Sequence, residues 1–209
     1  MAAPFTRTLA RATFVASMIV GYGMHLPTVH AATRSDTPTC DGLAATIVGT
    51  PSVDHLVGTW HRDVIVGLGG NDTIKGLGGD DVLCGGGGDD LILGGAGNDT
   101  ELGQFGGDTL DGNAGGDDLI GGDGSDDESG GLGSDDLQGN AEDDALSGGG
   151  GDDSLSGGSG DDSLEGNGGD DVLEGNGGSD DLNGGDGIDD VSGGVGEDTE
   201  ACDLSDTCS

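Results

Sequence analysis

The nine residues Gly157-Gly158-Ser159-Gly160-Asp161-Asp162-Ser163-Leu164-Glu165 decide the fold, because their pattern returns in phase through most of the chain. Steps of nine from Gly49 meet Gly at all seventeen positions as far as Gly193. The sixth position of the same frame is Asp in every copy, from Asp54 to Asp198, with no insertion. The eighth is aliphatic in fourteen copies and Glu in three, at Glu101, Glu128 and Glu200. A period held this strictly marks a repeating physical unit that buries one face by stacking on its neighbours.

Glycine at positions one and four, and often at two, permits the positive φ that other residues resist, so the first six residues are expected to form a tight loop. The last three are expected to form a short strand, with position eight turned inward and positions seven and nine outward. With one strand and one turn per unit, two units complete a coil, and odd and even units build two facing parallel sheets. The predicted fold is all-β: a right-handed parallel β-roll (a β-helix, or solenoid) of nine-residue repeats, two repeats per coil. Its inside rows are Ile65, Leu83, Leu119, Leu137, Leu155, Leu173 and Val191 on one sheet, and Leu56, Ile74, Ile92, Leu110, Leu146, Leu164 and Leu182 on the other.

Composition works against a compact state. Of 209 residues, 50 are Gly and 2% are aromatic, and 42 acidic side chains stand against five basic ones, a formal charge of −37. Composition alone describes an acidic unfolded chain. Self-repulsion on this scale opposes folding unless cations neutralise it, and it excludes nucleic acid and anionic membrane as partners. One aliphatic residue in nine is a thin core, and abundant Gly favours the unfolded state. An Asp closing every loop would stack over the Asp two units away, a line of like charges that a hard divalent cation turns into a line of sites. Carboxylates and the loop carbonyls that Gly leaves accessible form an all-oxygen donor set at flexible spacing. Calcium suits that set, whereas Mg²⁺ demands stricter octahedral geometry and zinc prefers His or Cys. Without calcium the chain is open to disorder.

Units such as Gly76-Leu77-Gly78-Gly79-Asp80-Asp81-Val82-Leu83-Cys84 and Gly157 to Glu165 resemble the RTX, or haemolysin-type, calcium-binding nonapeptide, over residues 49–201. The whole layout is similar to small secreted haemolysin-type calcium-binding proteins of actinobacteria. The resemblance implies that position-six carboxylates and loop carbonyls hold Ca²⁺ between turns two units apart. The ligands so implied are Asp72, Asp81, Asp90, Asp99, Asp108, Asp117, Asp126, Asp135, Asp153, Asp162, Asp171, Asp180, Asp189 and Asp198. The loops ending at Asp54 and Asp63 lack the position-four Gly, and Arg62 would repel a cation, so they are expected to form a cap. Asp144 is set apart because Glu142 fills position four of its turn. Glu101 and Glu128 fall at inward positions, where a charge is costly unless paired, and are expected to mark a weak layer. No His, Lys or Tyr lies near them in sequence to complete a catalytic site.

Outside the repeats, Arg7 and Arg11 precede a modest apolar run from Phe14 to Val20, and no acidic residue occurs before Asp36. With small residues around Val29-His30-Ala31, this is the layout of a secretory signal peptide over residues 1–31, cleaved before Ala32. The run is broken by Ser17, Gly21, Gly23 and His25 and is too short to span a bilayer, so no membrane insertion is expected. Cleavage leaves Arg34, Arg62 and Lys75 against 42 acids, or −39. Residues 32–48 then lead into the roll, and residues 202–209 cap its carboxyl end. Four cysteines in a chain bound for an oxidising compartment imply two disulfides. Of the three connectivities, Cys40 with Cys84 and Cys202 with Cys208 is preferred, and no Cys-x-x-Cys spacing supports a thiolate metal site.

The function read from these residues is that of a secreted, extracellular calcium-binding protein, not an enzyme, in which metal binding is coupled to folding. Neither Gly-x-Ser-x-Gly nor His-Glu-x-x-His occurs, and His55 and His61 stand alone in the cap loops. The alternatives are a calcium-stabilised adhesion or protein-binding module for an unknown extracellular or cell-surface partner, and the C-terminal domain of an RTX protease, lipase or toxin. Thr73, Thr100 and Thr109 are too sparse for the threonine row of an ice-binding protein. Outward positions are apolar in the first half (Val64, Val66, Val82, Leu91, Leu93, Leu102) and polar in the second (Asp136, Ser154, Ser163, Asp181). That asymmetry fits either a protein-contact surface or packing for residues 32–48.

Overall fold

The computed structural model describes residues 37–201 and 206–209. The signal-peptide reading, residues 32–36 of the lead-in and the Cys202 to Cys208 pairing lie outside the described residues or depend on them. Among the described residues every regular element is a strand. Strands from alternate units form two parallel sheets, of nine and ten strands. Each interior strand pairs in register with the strands two units before and after it, as Leu155 with Leu173 in one sheet and Leu164 with Leu182 in the other. This is a parallel solenoid of two repeats per coil, consistent with the right-handed roll read from the period.

The interior strands are twice as long as the sequence pattern suggests. Ser163–Gly168 covers six residues, positions seven to nine and then one to three of the next unit, so the turn shrinks to positions four to six. Two residues per unit therefore face inward, here Leu164 and Gly166, both buried. Thirteen aliphatic side chains from Ile65 to Val191 join into one continuous core.

The longer strand changes what the glycines do. Left-handed backbone occurs at positions two and four, as at Asn167 (φ 74°) and Gly169 (φ 146°), and not at position one. Asn tolerates that conformation better than most residues. At position two its amide also donates to the carbonyl two residues back, Asn176 to Glu174 at 3.2 Å. Position one is Gly for lack of room. A Cβ on Gly166 would run into the Asp171 carboxylate and stand 2.5 Å from the Gly184 carbonyl oxygen.

At the amino end, strand Thr39–Cys40 pairs antiparallel with Leu43–Ala44, and Ile47–Val48 joins the ten-stranded sheet beside Val64–Val66. The preferred Cys40–Cys84 disulfide ties this lead-in to the outer face of the same sheet. Val64, Val66 and Val82 are buried there with Cys40, and Ala45 and Leu102 pack against them. On this sheet the apolar outward positions are packing for the lead-in. On the other sheet Leu91 stays 36% exposed. At the far end Thr207–Cys208 pairs with the strand Asp190–Val195 and completes the ten strands.

The steric role of position one is tested within a single repeat. Gly166→Ala is expected to destabilise the calcium-loaded protein by about 1–3 kcal/mol, the usual cost of overpacking. A Cβ at Gly168 meets nothing nearer than 3.8 Å, so Gly168→Ala should stay within about 0.5 kcal/mol of the parent. Denaturant titration in Ca²⁺ compares the two, and equal midpoints would remove the steric argument.

Candidate metal centre

Position six closes each turn, and the strand after it fixes where its side chain sits. Along each side of the roll these residues stack into a column of Asp. The backbone N–H of each donates to Oδ1 of the Asp two units ahead: Asp144 to Asp162 at 2.9 Å, Asp162 to Asp180 at 2.9 Å, Asp153 to Asp171 at 2.9 Å. One column runs from Asp54 to Asp198. The other runs from Asp63 to Asp189 and finishes on Asp206, whose Oδ1 accepts from the Asp189 N–H at 3.3 Å. Position five forms a second, exposed column that bonds the opposite way. There Ser179 N–H donates back to Asp161 Oδ1 at 2.9 Å, and Asp161 N–H back to Asp143 at 2.9 Å.

The other carboxylate oxygen separates the turns from Asp72 onward from those of the cap. In Asp54 and Asp63 it is satisfied inside its own turn: Thr50 donates from N–H at 2.6 Å and Oγ1 at 2.8 Å, and Thr59 from N–H at 2.7 Å and Oγ1 at 2.9 Å. From Leu68 onward position two turns left-handed, and that donor pair is gone. Oδ2 of every position-six Asp from Asp72 to Asp189 is buried with no hydrogen-bond partner. Each of these orphaned oxygens faces the bare Cα of the position-one Gly of its own unit. In several units the carbonyl of the position-one Gly two units on faces the same point, as Gly94 does at Gly76 and Gly193 at Gly175. A buried negative oxygen lacking a donor, beside a main-chain carbonyl, belongs to the all-oxygen donor set that a hard cation takes. Among the described residues no three acidic, His or Cys side chains gather into one metal-holding group. Main-chain oxygens would have to supply much of any coordination shell.

Thirteen of the fourteen aspartates singled out in sequence, Asp72 through Asp189 without Asp144, share this geometry. Asp198 closes its column half-buried, accepting from the Asp180 N–H at 3.1 Å. Asp144 has the same geometry as its neighbours, because Glu142 adopts the left-handed turn conformation (φ 78°) that Gly supplies elsewhere. Its position-six Asp was the signal to trust. Asp206 escapes the nine-residue frame because it comes one residue early, and Asp206-Thr207-Cys208 is the trace of a shortened unit. Thr at position two, found only in Thr50 and Thr59, is the sequence mark of the self-satisfied cap turns.

Burial sets the electrostatics. Desolvation pushes the carboxyls of Asp81, Asp90, Asp99, Asp117 and Asp153 up to about 6, from 3.8. It takes Asp108 and Asp144 up to about 7. The N–H bond to Oδ1 opposes the rise in each, and neighbouring acids add to it. Glu101 and Glu128, wholly buried, are raised well above their ordinary value by the same desolvation.

An acid whose pKa is higher folded than unfolded keeps its proton in the folded state after the unfolded state has lost it. The metal-free fold is therefore most stable below about pH 4, near the unfolded Asp value, and loses that stability as pH rises through the folded values. In chelator, β-structure is expected to increase as pH falls from 8 towards 4, with the change centred between 4 and 7. Circular dichroism across that range checks this, and a flat response contradicts it.

Comparison with known proteins agrees with this geometry. No curated protein matches the chain. The family model of the RTX calcium-binding nonapeptide repeat (4 copies) matches residues 57–92, 66–101, 93–127, 129–164, 156–191 and 165–200. These matches cover residues 57–127 and 129–200, well over half of the 209 residues, and they run through the strands and turns that carry both aspartate columns. By that match and by its fold, the chain belongs to the RTX calcium-binding nonapeptide repeat family.

Proposed function

We propose that this is a secreted, non-enzymatic calcium-binding protein whose position-six aspartates are the ligands and whose folding is coupled to the metal. The observation that carries the proposal is the double column of buried carboxylates whose Oδ2 atoms have no partner. Bound Ca²⁺ would supply the positive charge these columns lack. The chain's own part is to hold each carboxylate by its Oδ1 bond to the preceding turn and to lodge Oδ2 against the bare Cα of the position-one Gly. Because each carboxylate is anchored to one turn and borne by the next, two turns must be stacked before a site exists. That requirement makes metal binding and folding one event.

Secretion is supported by the layout of residues 1–31 and by the Cys40–Cys84 disulfide, a bond that suits an oxidising compartment. The lack of any catalytic motif in the sequence supports a non-enzymatic role. An adhesion role draws less support, because the lead-in covers the apolar outer patch of Val64, Val66 and Val82, and the apolar side chains left exposed, such as Leu91, Phe105, Leu132 and Val195, are spread along the roll.

The mature protein is expected to be largely unstructured in EDTA and to gain β-structure cooperatively as Ca²⁺ reaches about 10⁻⁴ to 10⁻³ M, the range of extracellular modules. Mg²⁺ at equal concentration should do much less. A β-rich spectrum insensitive to chelator would sink the proposal. The assignment of ligands has its own test. Asp162→Asn is expected to raise the calcium midpoint for folding several-fold, and Asp161→Asn, in the exposed column, to move it little. Equal midpoints would refute the assignment.

A further inference from the structure

The three Glu residues at position eight interrupt a row that is otherwise aliphatic. Glu101 stands in register between Leu83 and Leu119, and Glu128 between Leu110 and Leu146. Both are fully buried, and all four of their carboxylate oxygens lack a hydrogen-bond partner. Glu200 differs: it is half-buried, and its Oε1 accepts from the Gly193 N–H at 2.9 Å. The corresponding N–H groups of Gly94 and Gly121 lie near Glu101 and Glu128 without closing such a bond, so the two fully buried Glu need a reason that Glu200 does not.

Each follows by two residues the Asp that closes the turn before it, and both side chains face inward. Asp99 Oδ2 and Glu101 Oε1 both lie 2.5 Å from the point a Cβ on Gly94 would occupy, which puts the two oxygens within about 5 Å of each other. Asp126 Oδ2 and Glu128 Oε1 converge in the same way on Gly121. At each place an Asp Oδ2 and a Glu Oε1, both buried and without a hydrogen-bond partner, converge on the bare Cα of one Gly. Leu or Val at position eight would leave a single carboxylate oxygen there. Two carboxylates this close inside a protein cannot both stay ionised without a positive charge between them. A hard cation binds more tightly as the number of charged ligands rises. The sites lie three units apart, so Asp99 belongs to one aspartate column and Asp126 to the other.

We propose that Asp99 with Glu101, and Asp126 with Glu128, form two interior divalent-cation sites, one on each column, that hold Ca²⁺ more tightly than the turns with an aliphatic eighth residue. The proposal rests on the reading of the position-six aspartates as calcium ligands, and adds that Glu101 and Glu128 are ligands too.

The test uses the full mature chain, the double variant Glu101→Leu/Glu128→Leu, which restores the aliphatic rows, and the isosteric Glu101→Gln/Glu128→Gln. Each is loaded with Ca²⁺, passed through gel filtration in calcium-free buffer at neutral pH, and assayed for retained calcium by atomic absorption. Circular dichroism in millimolar Ca²⁺ confirms that each is folded. The parent is expected to retain about two ions per chain that both double variants lose, and its tightest binding class to weaken at least about tenfold in either variant. If either double variant retains as much calcium as the parent, the Glu side chains are not ligands and the inference is overturned, while calcium-driven folding of all three proteins leaves the wider reading intact. A parent that neither folds with nor binds Ca²⁺ overturns both.

Discussion

Everything in this fold turns on stacking one buried carboxylate on another at every second repeat. A column of desolvated aspartates is unfavourable by itself, and most features of the repeat act to make it tolerable. Oδ1 takes the one backbone N–H that the turn below cannot otherwise satisfy. Position one gives up its side chain so that Oδ2 has somewhere to sit. Positions two and four go left-handed, which tightens the turn to three residues and withdraws the donor that would otherwise satisfy Oδ2. The aliphatic row fills what little interior remains. The core is thin because the two sheets must approach closely enough for the turns to close on themselves, and a roll built this way is left dependent on charge compensation.

Much of this was legible in the sequence, and the remainder has definite physical reasons. The period, the two parallel sheets and the inward row from Ile65 to Val191 follow from the alternation around position eight. The extension of each strand through positions one to three does not, because Gly carries no side chain to report which way it faces. Gly166 reads as a loop residue and is a strand residue facing the core. The aspartates were found by their spacing. Their division into satisfied and orphaned oxygens rests on Thr50 and Thr59, which look like ordinary polar loop residues until the distance to Oδ2 is known. Asp206 was hidden by one missing residue, and the convergence of Glu101 on Asp99 by reading position six as a loop residue, outside the alternation that turns positions six and eight the same way.

The two ends solve different problems. At the amino end the first turns are complete without metal, since Thr50 and Thr59 supply the donors, and a disulfide fastens the lead-in over Val64 and Val82. Ordered structure therefore has a foundation in which the first carboxylate of each column is satisfied by hydrogen bonds alone. At the carboxyl end the columns stop on Asp198 and Asp206, and the short strand Thr207–Cys208 covers the last full strand of its sheet.

Two repeats per coil give the roll a parity. Adding or removing a single nine-residue unit would exchange the sheets for everything downstream and transfer each aspartate to the opposite column. Upstream of Cys84 such a change would carry that cysteine to the face away from Cys40, and the covalent clasp between them could not close. Between Cys84 and Glu128 the clasp is untouched, but a single-unit change would still move Glu128, and Glu101 as well if it falls before that residue, to the opposite sheet. A lineage of such chains is thus free to lengthen or shorten by whole coils, two repeats at a time, and is constrained against half-coil steps most severely where the clasp must close.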